Sequence, residues 1–286
     1  MGCAKVGRMW KIAALAFTCA FTDIAAQYEF PAWSPDGKSI VFVMKTDSSD
    51  WNIYTANLDG TNLKGSGVRQ LTRGGAWDAA WFPDGQNIAF VSTVDGKRQI
   101  SAMSADGSNV RQLTSGPAEH FHPAFSHSGA RIAVTTTENG ASRIAVMDAT
   151  GSNAAPLTPL DQRSRWPAWS PDGKHIAYFV QGPVSEIWQV DVETLDRSKL
   201  FDSGLSATTL DWSPDGNEIA LTRMIAKETG IDILNLKTRQ IRRVLGAELG
   251  LGQPRWSPDG SQLMFSTNTG VSILDLKPSR LRVVLQ

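Results

Sequence analysis

The pentapeptide Trp33-Ser34-Pro35-Asp36-Gly37 occurs four times without change, and two looser copies bring the number to six. The identical copies occupy residues 169–173, 212–216 and 256–260, and the looser ones, WFPDG and FSHSG, occupy residues 81–85 and 125–129. The opening aromatic stands at position 33, 81, 125, 169, 212 or 256, so neighbouring copies are 43 to 48 residues apart. A period in the low forties made of short strands is typical of a propeller with one blade per repeat.

The pentapeptide itself is predicted to form a tight turn between two strands. Ser34 can hydrogen-bond to the backbone ahead of it, Pro35 fixes φ at the second turn position, and Asp36 suits the third. Gly37 supplies the left-handed conformation that closes a hairpin with a bulge. The aromatic residue before the turn ends the incoming strand and is large enough to fill the wedge between neighbouring blades.

Each turn is followed by an apolar run, such as residues 40–43, 88–91 and 176–179, and then by a third strand and a polar outer strand. Runs that are apolar on both faces suit strands covered by a blade on either side. The sequence therefore predicts an all-β fold, a six-bladed β-propeller with four antiparallel strands per blade. The predicted propeller begins with an innermost strand and ends with an outermost one. We therefore expect the first and sixth blades to close the ring by packing, without a shared sheet.

The composition is that of a globular protein, with 41% hydrophobic and 20% charged residues. The 28 basic residues balance 28 acidic ones, so the charge does not favour a nucleic-acid partner. Both cysteines lie at positions 3 and 19, so a domain that starts at residue 27 would contain no disulfide.

The first 26 residues are predicted to be a secretory signal peptide, which leaves the propeller at residues 27–286. Three basic residues precede the apolar run 12–21, and small residues at 25–26 suit cleavage. Ten apolar residues are too few to span a bilayer, so we expect no transmembrane span and a periplasmic or secreted protein. A lipid anchor on Cys19, or on Gly2 and Cys3, is the alternative.

Three features of the sequence carry a resemblance to a known family: the pentapeptide turns, the I-A-F-like strands that follow them, and the Leu-Thr endings at 71–72, 113–114 and 157–158. Together they resemble the WD-like propeller of the TolB family, periplasmic components of the Tol-Pal system. The resemblance covers residues 28–286. In that family the propeller binds an outer-membrane lipoprotein at its channel mouth, and a separate amino-terminal α/β domain contacts other members of the system. No counterpart of that domain is recognisable between residue 26 and the first blade. The resemblance implies a binding or scaffold module of the cell envelope with a protein or lipoprotein partner.

The two faces of such a propeller differ in how strictly their loops repeat. The pentapeptide turns and the outer hairpins share one face and are nearly uniform, whereas the loops of the opposite face vary, as recognition surfaces do. Residues that lead into the innermost strands lie at the channel mouth on the variable face, where Phe30 and Gln253 also fall. The predicted binding residues are Glu29, Trp77, Asp78, Glu119, His120, His122, Arg163, Arg165, Trp166 and Arg255.

Several of these residues also have simpler explanations. His120 and His122 stand two apart, would point to the same side of a strand, and could bind a metal with Glu119, but imidazoles that hydrogen-bond in a polar rim are commoner. We therefore predict no metal and no cofactor. Asp211 and Arg255 stand where four blades carry alanine, and they could pair with each other instead of contacting a ligand.

The alternative function is that of a carbohydrate-active enzyme, a lyase or a hydrolase, with its site at the channel mouth. The sequence contains no G-x-S-x-G, H-E-x-x-H, Walker or dinucleotide-binding motif. Asp78 and Glu119 could act as acid and base on a glycan while Arg165 holds a carboxylate. Trp77 and Trp166 could stack on a sugar, although core packing explains them equally well. A binding propeller is the favoured prediction.

Overall fold

The computed structural model describes residues 27–46, 50–58, 65–182, 185–202, 207–225, 228–246 and 252–285. Within them, twenty-four strands form six four-stranded antiparallel sheets, and the only helix is a three-residue 3₁₀ turn at Leu160–Gln162. The six-bladed fold with four strands per blade is therefore confirmed. The predicted signal peptide lies outside the described residues, and no helix within them has the length and apolar character needed to cross a membrane.

Each blade consists of four consecutive strands, ordered from the channel outwards. Blades 1 and 2 contain β1 (Gln27–Trp33), β2 (Ser39–Lys45), β3 (Asn52–Leu58), β4 (Gly65–Gln70), β5 (Ala76–Trp81), β6 (Asn87–Val94), β7 (Lys97–Ser104) and β8 (Arg111–Gln112). Blades 3 and 4 contain β9 (Glu119–Phe125), β10 (Arg131–Glu138), β11 (Ala141–Asp148), β12 (Ala155–Pro156), β13 (Ser164–Trp169), β14 (His175–Val180), β15 (Glu186–Asp191) and β16 (Arg197–Asp202). Blades 5 and 6 contain β17 (Ala207–Trp212), β18 (Glu218–Ile225), β19 (Glu228–Asn235), β20 (Ile241–Leu245), β21 (Gly252–Trp256), β22 (Gln262–Thr267), β23 (Gly270–Leu276) and β24 (Ser279–Leu285).

Six hydrophobic clusters fill the six wedges between neighbouring blades. The cluster between blades 1 and 6 joins Ile40 and Phe42 of β2 to Ile273 of β23 and Val284 of β24, all buried. These two blades share no sheet, so the ring closes by packing, as the sequence predicted, with added hydrogen bonds from Trp33 to the Arg255 carbonyl and from the Phe30 N–H to Gln253. Since a single four-stranded sheet would leave both of its faces exposed to solvent, burial of apolar surface in these wedges is the main source of stability.

The pentapeptide forms the predicted turn. The Ser34 hydroxyl donates to Asp36 Oδ1 at 2.6 Å, and the same oxygen accepts the Lys38 backbone N–H at 3.0 Å. The hydrogen bond from Ser34 is the main reason that the pKa of Asp36 is lowered. Gly37 has φ 70°, and a Cβ on it would lie 3.9 Å from Pro258 of blade 6. The turns of neighbouring blades therefore pack against one another around the channel.

The aromatic residue before each turn, which we call the wedge aromatic, connects neighbouring blades. Three of these indole N–H groups donate to a backbone carbonyl of the preceding blade at 3.0 to 3.3 Å, in the pairs Trp33–Arg255, Trp169–Ala124 and Trp212–Ala168. Two others, on Trp81 and Trp256, are buried and have no partner among the described residues. The wedge aromatics thus fill the space between blades, and three of them also hydrogen-bond across it.

Candidate functional site

Every innermost strand carries a β-bulge at the same place. In blade 1, Glu29 pairs with Val43 and Ala32 with Val41, so two residues of β1 oppose Phe42 alone. The same register shift occurs in the other five blades. In five blades the residue three positions before the wedge aromatic has φ between 48° and 53°: Phe30, Asp78, His122, Trp166 and Gln253. Non-glycine residues seldom adopt this conformation, and bulges of this kind redirect side chains.

The six residues at this position, which we call the bulge ring, line the two cavities at the centre of the propeller. They are Phe30, Asp78, His122, Trp166, Thr209 and Gln253. Blade order places the two aromatic members opposite each other, because blade 1 faces blade 4 across a six-bladed ring. The backbone of the ring repeats closely, whereas its side chains are six different chemical types. Phe30 and Trp166 also pack against wedge clusters, but the polar members do not belong to them, so the bulge ring is the candidate site.

Two cavities meet at the bulge ring. The mouth cavity, of about 570 Å³, lies between blades 1, 5 and 6 on the face opposite the pentapeptide turns. The channel cavity, of about 470 Å³, runs from the ring towards the prolines of those turns. Phe30, Trp166 and Thr209 line both cavities. A molecule that entered at the mouth would therefore meet the bulge ring before it reached the channel.

Asp78 and His122 are neighbours in the ring and carry opposite pKa changes. The backbone N–H of His122 donates to Asp78 Oδ2 at 3.3 Å, and the imidazole Nε2 lies 3.7 Å from the same oxygen. Burial raises the pKa of Asp78 to about 6 and lowers the pKa of His122 to about 3. The imidazole is therefore neutral near pH 7, so it does not act as a cation towards Asp78.

The orientation of His122 is fixed from its other side. Its Nδ1 lies 3.1 Å from Thr135 Oγ1, and that hydroxyl oxygen also accepts the backbone N–H of Trp166 at 3.2 Å. The imidazole and indole rings of His122 and Trp166 have centroids 4.7 Å apart. Thr135 thus links two neighbouring members of the bulge ring and restrains the orientation of both.

Arg255 and Asp211, the charged residues that stand where four blades carry alanine, form the predicted pair. Arg255 Nη1 lies 3.6 Å from Asp211 Oδ1 and donates to the Leu210 carbonyl at 3.3 Å. Asp211 Oδ2 accepts the Trp256 backbone N–H at 2.8 Å. Burial nevertheless raises the pKa of Asp211 to about 6, with the charge of Arg255 acting in the opposite direction. Local pairing therefore accounts for both side chains, although both line the channel cavity.

Glu29 and Gln253 face the mouth cavity with unused hydrogen-bonding capacity. Gln253 Oε1 accepts the Phe30 backbone N–H at 3.1 Å and the Ser266 hydroxyl at 2.7 Å. Because the Phe30 N–H can only donate, the amide oxygen must face it, which leaves the NH₂ group of Gln253 for the cavity. Among the described residues, none forms a side-chain hydrogen bond or ion pair with Glu29. Burial, followed by the charge of Asp78, raises the pKa of Glu29.

The structure brings together five of the ten predicted site residues. Glu29, Asp78, His122, Trp166 and Arg255 line the mouth or channel cavity. Sequence reasoning missed Thr209, the blade 5 member of the bulge ring. Aligning the repeats on their wedge aromatics would have found it, because it stands three positions before Trp212, as its five counterparts do in the other blades.

The other five predicted residues line neither cavity. The Arg98 guanidinium lies 4.1 Å from the ring centroid of Trp77, and the Arg98 backbone N–H donates to Glu119 Oε1 at 3.2 Å. Arg165 Nε donates to Ser142 Oγ at 3.3 Å. Arg163 follows the short 3₁₀ helix in a left-handed conformation. These residues form local structure beside the site.

The expectation that His120 and His122 share one side of their strand is wrong. The bulge in β9 lies between Phe121, which pairs with Thr135, and Ala124, and it interrupts the two-residue alternation. His120 Nδ1 lies 3.1 Å from Gln99 Oε1, whereas His122 lines the channel. Among the residues that the structure describes, no group of three His, Cys, Asp or Glu side chains is placed to hold a metal ion.

The fold and the channel define a six-bladed propeller whose candidate site is a ring of unlike side chains below a mouth cavity. The chain belongs to the TolB beta propeller domain family, whose sequence profile matches residues 19–202. A search of functionally curated proteins gave no match.

Among solved structures, the chain is similar to TolB from Acinetobacter baumannii, with 20% identity and a TM-score of 0.70 over 92% of this chain and 66% of that one. It is equally similar in fold to a putative TolB from Agrobacterium tumefaciens, with 22% identity and a TM-score of 0.70 over 84% of this chain and 89% of that one. An oligogalacturonate lyase from Vibrio parahaemolyticus has 13% identity and a TM-score of 0.60 over 88% and 91% of the two chains. At these identities the likeness establishes the fold alone.

Proposed function

We propose that the chain is a TolB-like binding propeller of the cell envelope, periplasmic or secreted, which captures a protein or lipoprotein partner through its channel mouth. One observation carries the proposal: six equivalent bulges present six unlike side chains beneath an open cavity. A repeated scaffold with one unrepeated ring is what recognition of a single asymmetric ligand requires. Membership of the TolB propeller family supports the class of partner.

The mouth cavity has a composition that suits a segment of polypeptide. Its volume lies within the range of about 300 to 1,000 Å³ that is usual for ligand sites. Tyr28, Phe30 and Trp166 line it, and aromatic side chains often contribute much of the binding energy in protein interfaces. The amide group of Gln253 and several threonine hydroxyls can pair with a peptide backbone.

The enzymatic alternative has less support. It needs Asp78 and Glu119 to face one substrate, but Glu119 lines neither cavity and accepts a hydrogen bond from the Arg98 backbone. The likeness to oligogalacturonate lyase concerns the fold, at 13% identity.

Affinity capture from an envelope extract of the source organism tests the proposal, with residues 27–286 as bait. Trp166→Ala should lower retention of the partner by about tenfold or more, as expected for a central aromatic of an interface. Trp188→Ala is the matched control, because Trp188 lies in the same blade, donates to Glu186 Oε2 at 2.7 Å and lines neither cavity. Normal capture by a Trp166→Ala variant that unfolds at the same temperature as the control would refute the proposal.

A further inference from the structure

We propose that the channel recognises a primary carboxamide, the group carried by an asparagine or glutamine side chain, through one acceptor on Asp78 and one donor on His122. The Asp78 carboxylate accepts an N–H of the carboxamide, and His122 Nε2–H donates to its carbonyl oxygen. The inference rests on the proposed function, because the carboxamide belongs to the inserted segment of the partner. It adds which chemical group that segment presents to the bulge ring.

The first step of the argument is that the two side chains open into the same cavity at a measured spacing. Asp78 and His122 are bulge-ring members of neighbouring blades, and both line the channel cavity. Both have a left-handed backbone conformation, with φ 49° and 52°. His122 Nε2 lies 3.7 Å from Asp78 Oδ2, which is too long for a direct hydrogen bond. It is close enough for one small group to contact both side chains.

The second step identifies the ring nitrogen of His122 that carries the proton. Thr135, which is 1% exposed, accepts the Trp166 backbone N–H at 3.2 Å through its hydroxyl oxygen, and this oxygen lies 3.1 Å from His122 Nδ1. The hydroxyl has no other acceptor among the described residues, so its proton is directed to Nδ1. In a neutral imidazole one nitrogen accepts and the other carries the proton. Nε2 of His122 is therefore an N–H donor on the channel side.

The third step is that the protein itself uses neither of the two facing atoms. Asp78 Oδ1 and His122 Nε2 have no hydrogen-bond partner among the described residues, and neither is one of the fully enclosed unpartnered atoms of that part of the chain. Both are therefore open to the cavity. Arg255, which also lines this cavity, lies 3.6 Å from an oxygen of Asp211. Since a buried carboxylate is costly without donors, a donor that enters the cavity is favoured at Asp78.

The fourth step selects the ligand by its hydrogen-bonding pattern. A carboxylate has only acceptors, and an ammonium or guanidinium group has only donors, so each leaves one of the two atoms unmatched. A trans peptide unit has both, but its N–H and C=O point to opposite sides. A primary carboxamide has an N–H and its oxygen on one edge, as when asparagine or glutamine binds the adjacent donor and acceptor of adenine. A hydroxyl also has both, but it only replaces a water molecule of the same bonding pattern.

Trp166 connects this pair to the mouth of the propeller. Its indole centroid lies 4.7 Å from that of the His122 ring, and its side chain lines both the mouth cavity and the channel cavity. A segment that enters at the mouth therefore meets Trp166 on its way to Asp78 and His122. An uncharged carboxamide makes this passage at a lower desolvation cost than a charged side chain does.

Titration of the protein with propionamide, followed through the imidazole and indole NMR signals, tests the inference. N-methylacetamide is the matched probe, because it is an isomer of propionamide whose amide is secondary and trans. Propionamide should bind, and N-methylacetamide and propionate should each bind more weakly by about tenfold or more, since each loses at least one of the two hydrogen bonds. Binding of propionamide that is no tighter than that of N-methylacetamide, propionate or 1-propanol would overturn the inference.

Two substitutions test the pair of side chains. In Asp78→Asn the amide oxygen accepts the His122 backbone N–H, so the NH₂ group faces the cavity; binding of propionamide should weaken by about tenfold and that of propionate should tighten. His122→Phe should weaken propionamide binding to a similar extent, and blade 1 already carries Phe30 at this position with φ 50°. Asp191→Asn is the matched control, because Asp191 Oδ2 lies 3.8 Å from His175 Nε2 outside both cavities, and it should bind as the wild type does. Unchanged binding by both site variants would refute the assignment.

Two peptides distinguish the sources of the carboxamide. Acetyl-Ala-Asn-Ala methylamide tests an asparagine side chain and acetyl-Ala-Gln-Ala methylamide a glutamine side chain, each against its acidic counterpart with Asp or Glu. Tighter binding of either amide peptide than of its counterpart supports the inference, and the tighter of the two identifies the source. If neither amide peptide binds more tightly than its counterpart, the inference fails.

Two further measurements complete the test. Nitrogen NMR of the His122 ring should show a protonated Nε2 and an unprotonated Nδ1, and the opposite tautomer would contradict the second step. In the capture experiment, normal retention of the partner by Asp78→Asn together with its loss by Trp166→Ala would leave the proposed function standing and overturn the carboxamide inference. If propionamide binds as expected and no partner is captured, the inference stands and the proposed function fails.

Discussion

Replacing Asp78 by asparagine is expected to stabilise the fold at pH 8 and to have little effect near pH 4. Burial raises the pKa of this carboxyl group to about 6, from an ordinary value of 3.8. Between these two pH values the folded chain keeps a proton that the unfolded chain has lost, so wild-type stability falls as the pH rises through the window. Above pH 6 the full cost is about 3 kcal/mol. Asparagine carries no charge to bury, and its side-chain oxygen can still accept the His122 N–H.

Urea unfolding of the wild type and of Asp78→Asn at pH 4 and pH 8 measures this effect. Asp259→Asn is the control with the opposite expectation, because hydrogen bonds, chiefly from the Ser257 hydroxyl, lower the pKa of Asp259. The control variant should therefore be less stable than the wild type at pH 8. A loss of stability in Asp78→Asn at pH 8 would show that Arg255 and Arg98 compensate the carboxylate more than burial penalises it. An equal change at both pH values would show that titration of Asp78 is not the cause.

Two further predictions concern the scaffold. Trp212→Phe removes the 3.1 Å hydrogen bond to the Ala168 carbonyl and should lower the free energy of unfolding by about 1 kcal/mol in urea titrations. Trp81→Phe, which removes a buried indole N–H with no partner among the described residues, should cost less, and equal losses would contradict the role of the inter-blade bond. Gly37→Ala should cost about 1–2 kcal/mol, because φ is 70° and the nearest atoms leave room for a methyl group. An unchanged thermal midpoint would show that this turn relaxes without strain.

The fold could be predicted because its determinants are local and repeated. The pentapeptide specifies its own turn through Ser34, Asp36 and Gly37, and its spacing specifies the number of blades. The Leu-Thr endings are structural too. The Thr114 hydroxyl accepts the Ile100 backbone N–H at 2.9 Å and donates to Gln99 at 2.7 Å where the outer strand has ended. The hydroxyls of Thr72 and Thr158 accept the equivalent backbone N–H groups at 2.9 Å, so the repeated dipeptide marks a repeated structural bond.

The candidate site could be predicted only in part, because a bulge changes which residues share a side of a strand. Counting by two along β9 places His120 with His122, but the left-handed conformation at His122 sends only that side chain into the channel. The pairing register that creates the bulge depends on β10, through the partners of Phe121 and Ala124. Sequence position near the mouth was therefore enough to find the region and not enough to select the residues within it.

The bulge ring also explains how the propeller can carry charges that cost it stability. The hydrophobic clusters in the wedges between blades provide the stabilising burial. Burial raises the pKa of Asp78, a member of the bulge ring, to about 6, so its ionised form destabilises the fold at neutral pH. Groups with an unfavourable folding energy persist where they serve binding, since a ligand that pairs with them recovers the cost on association. If Asp78→Asn gains stability at pH 8 and loses capture of the envelope partner, these two consequences of one substitution would identify Asp78 as a residue kept for recognition.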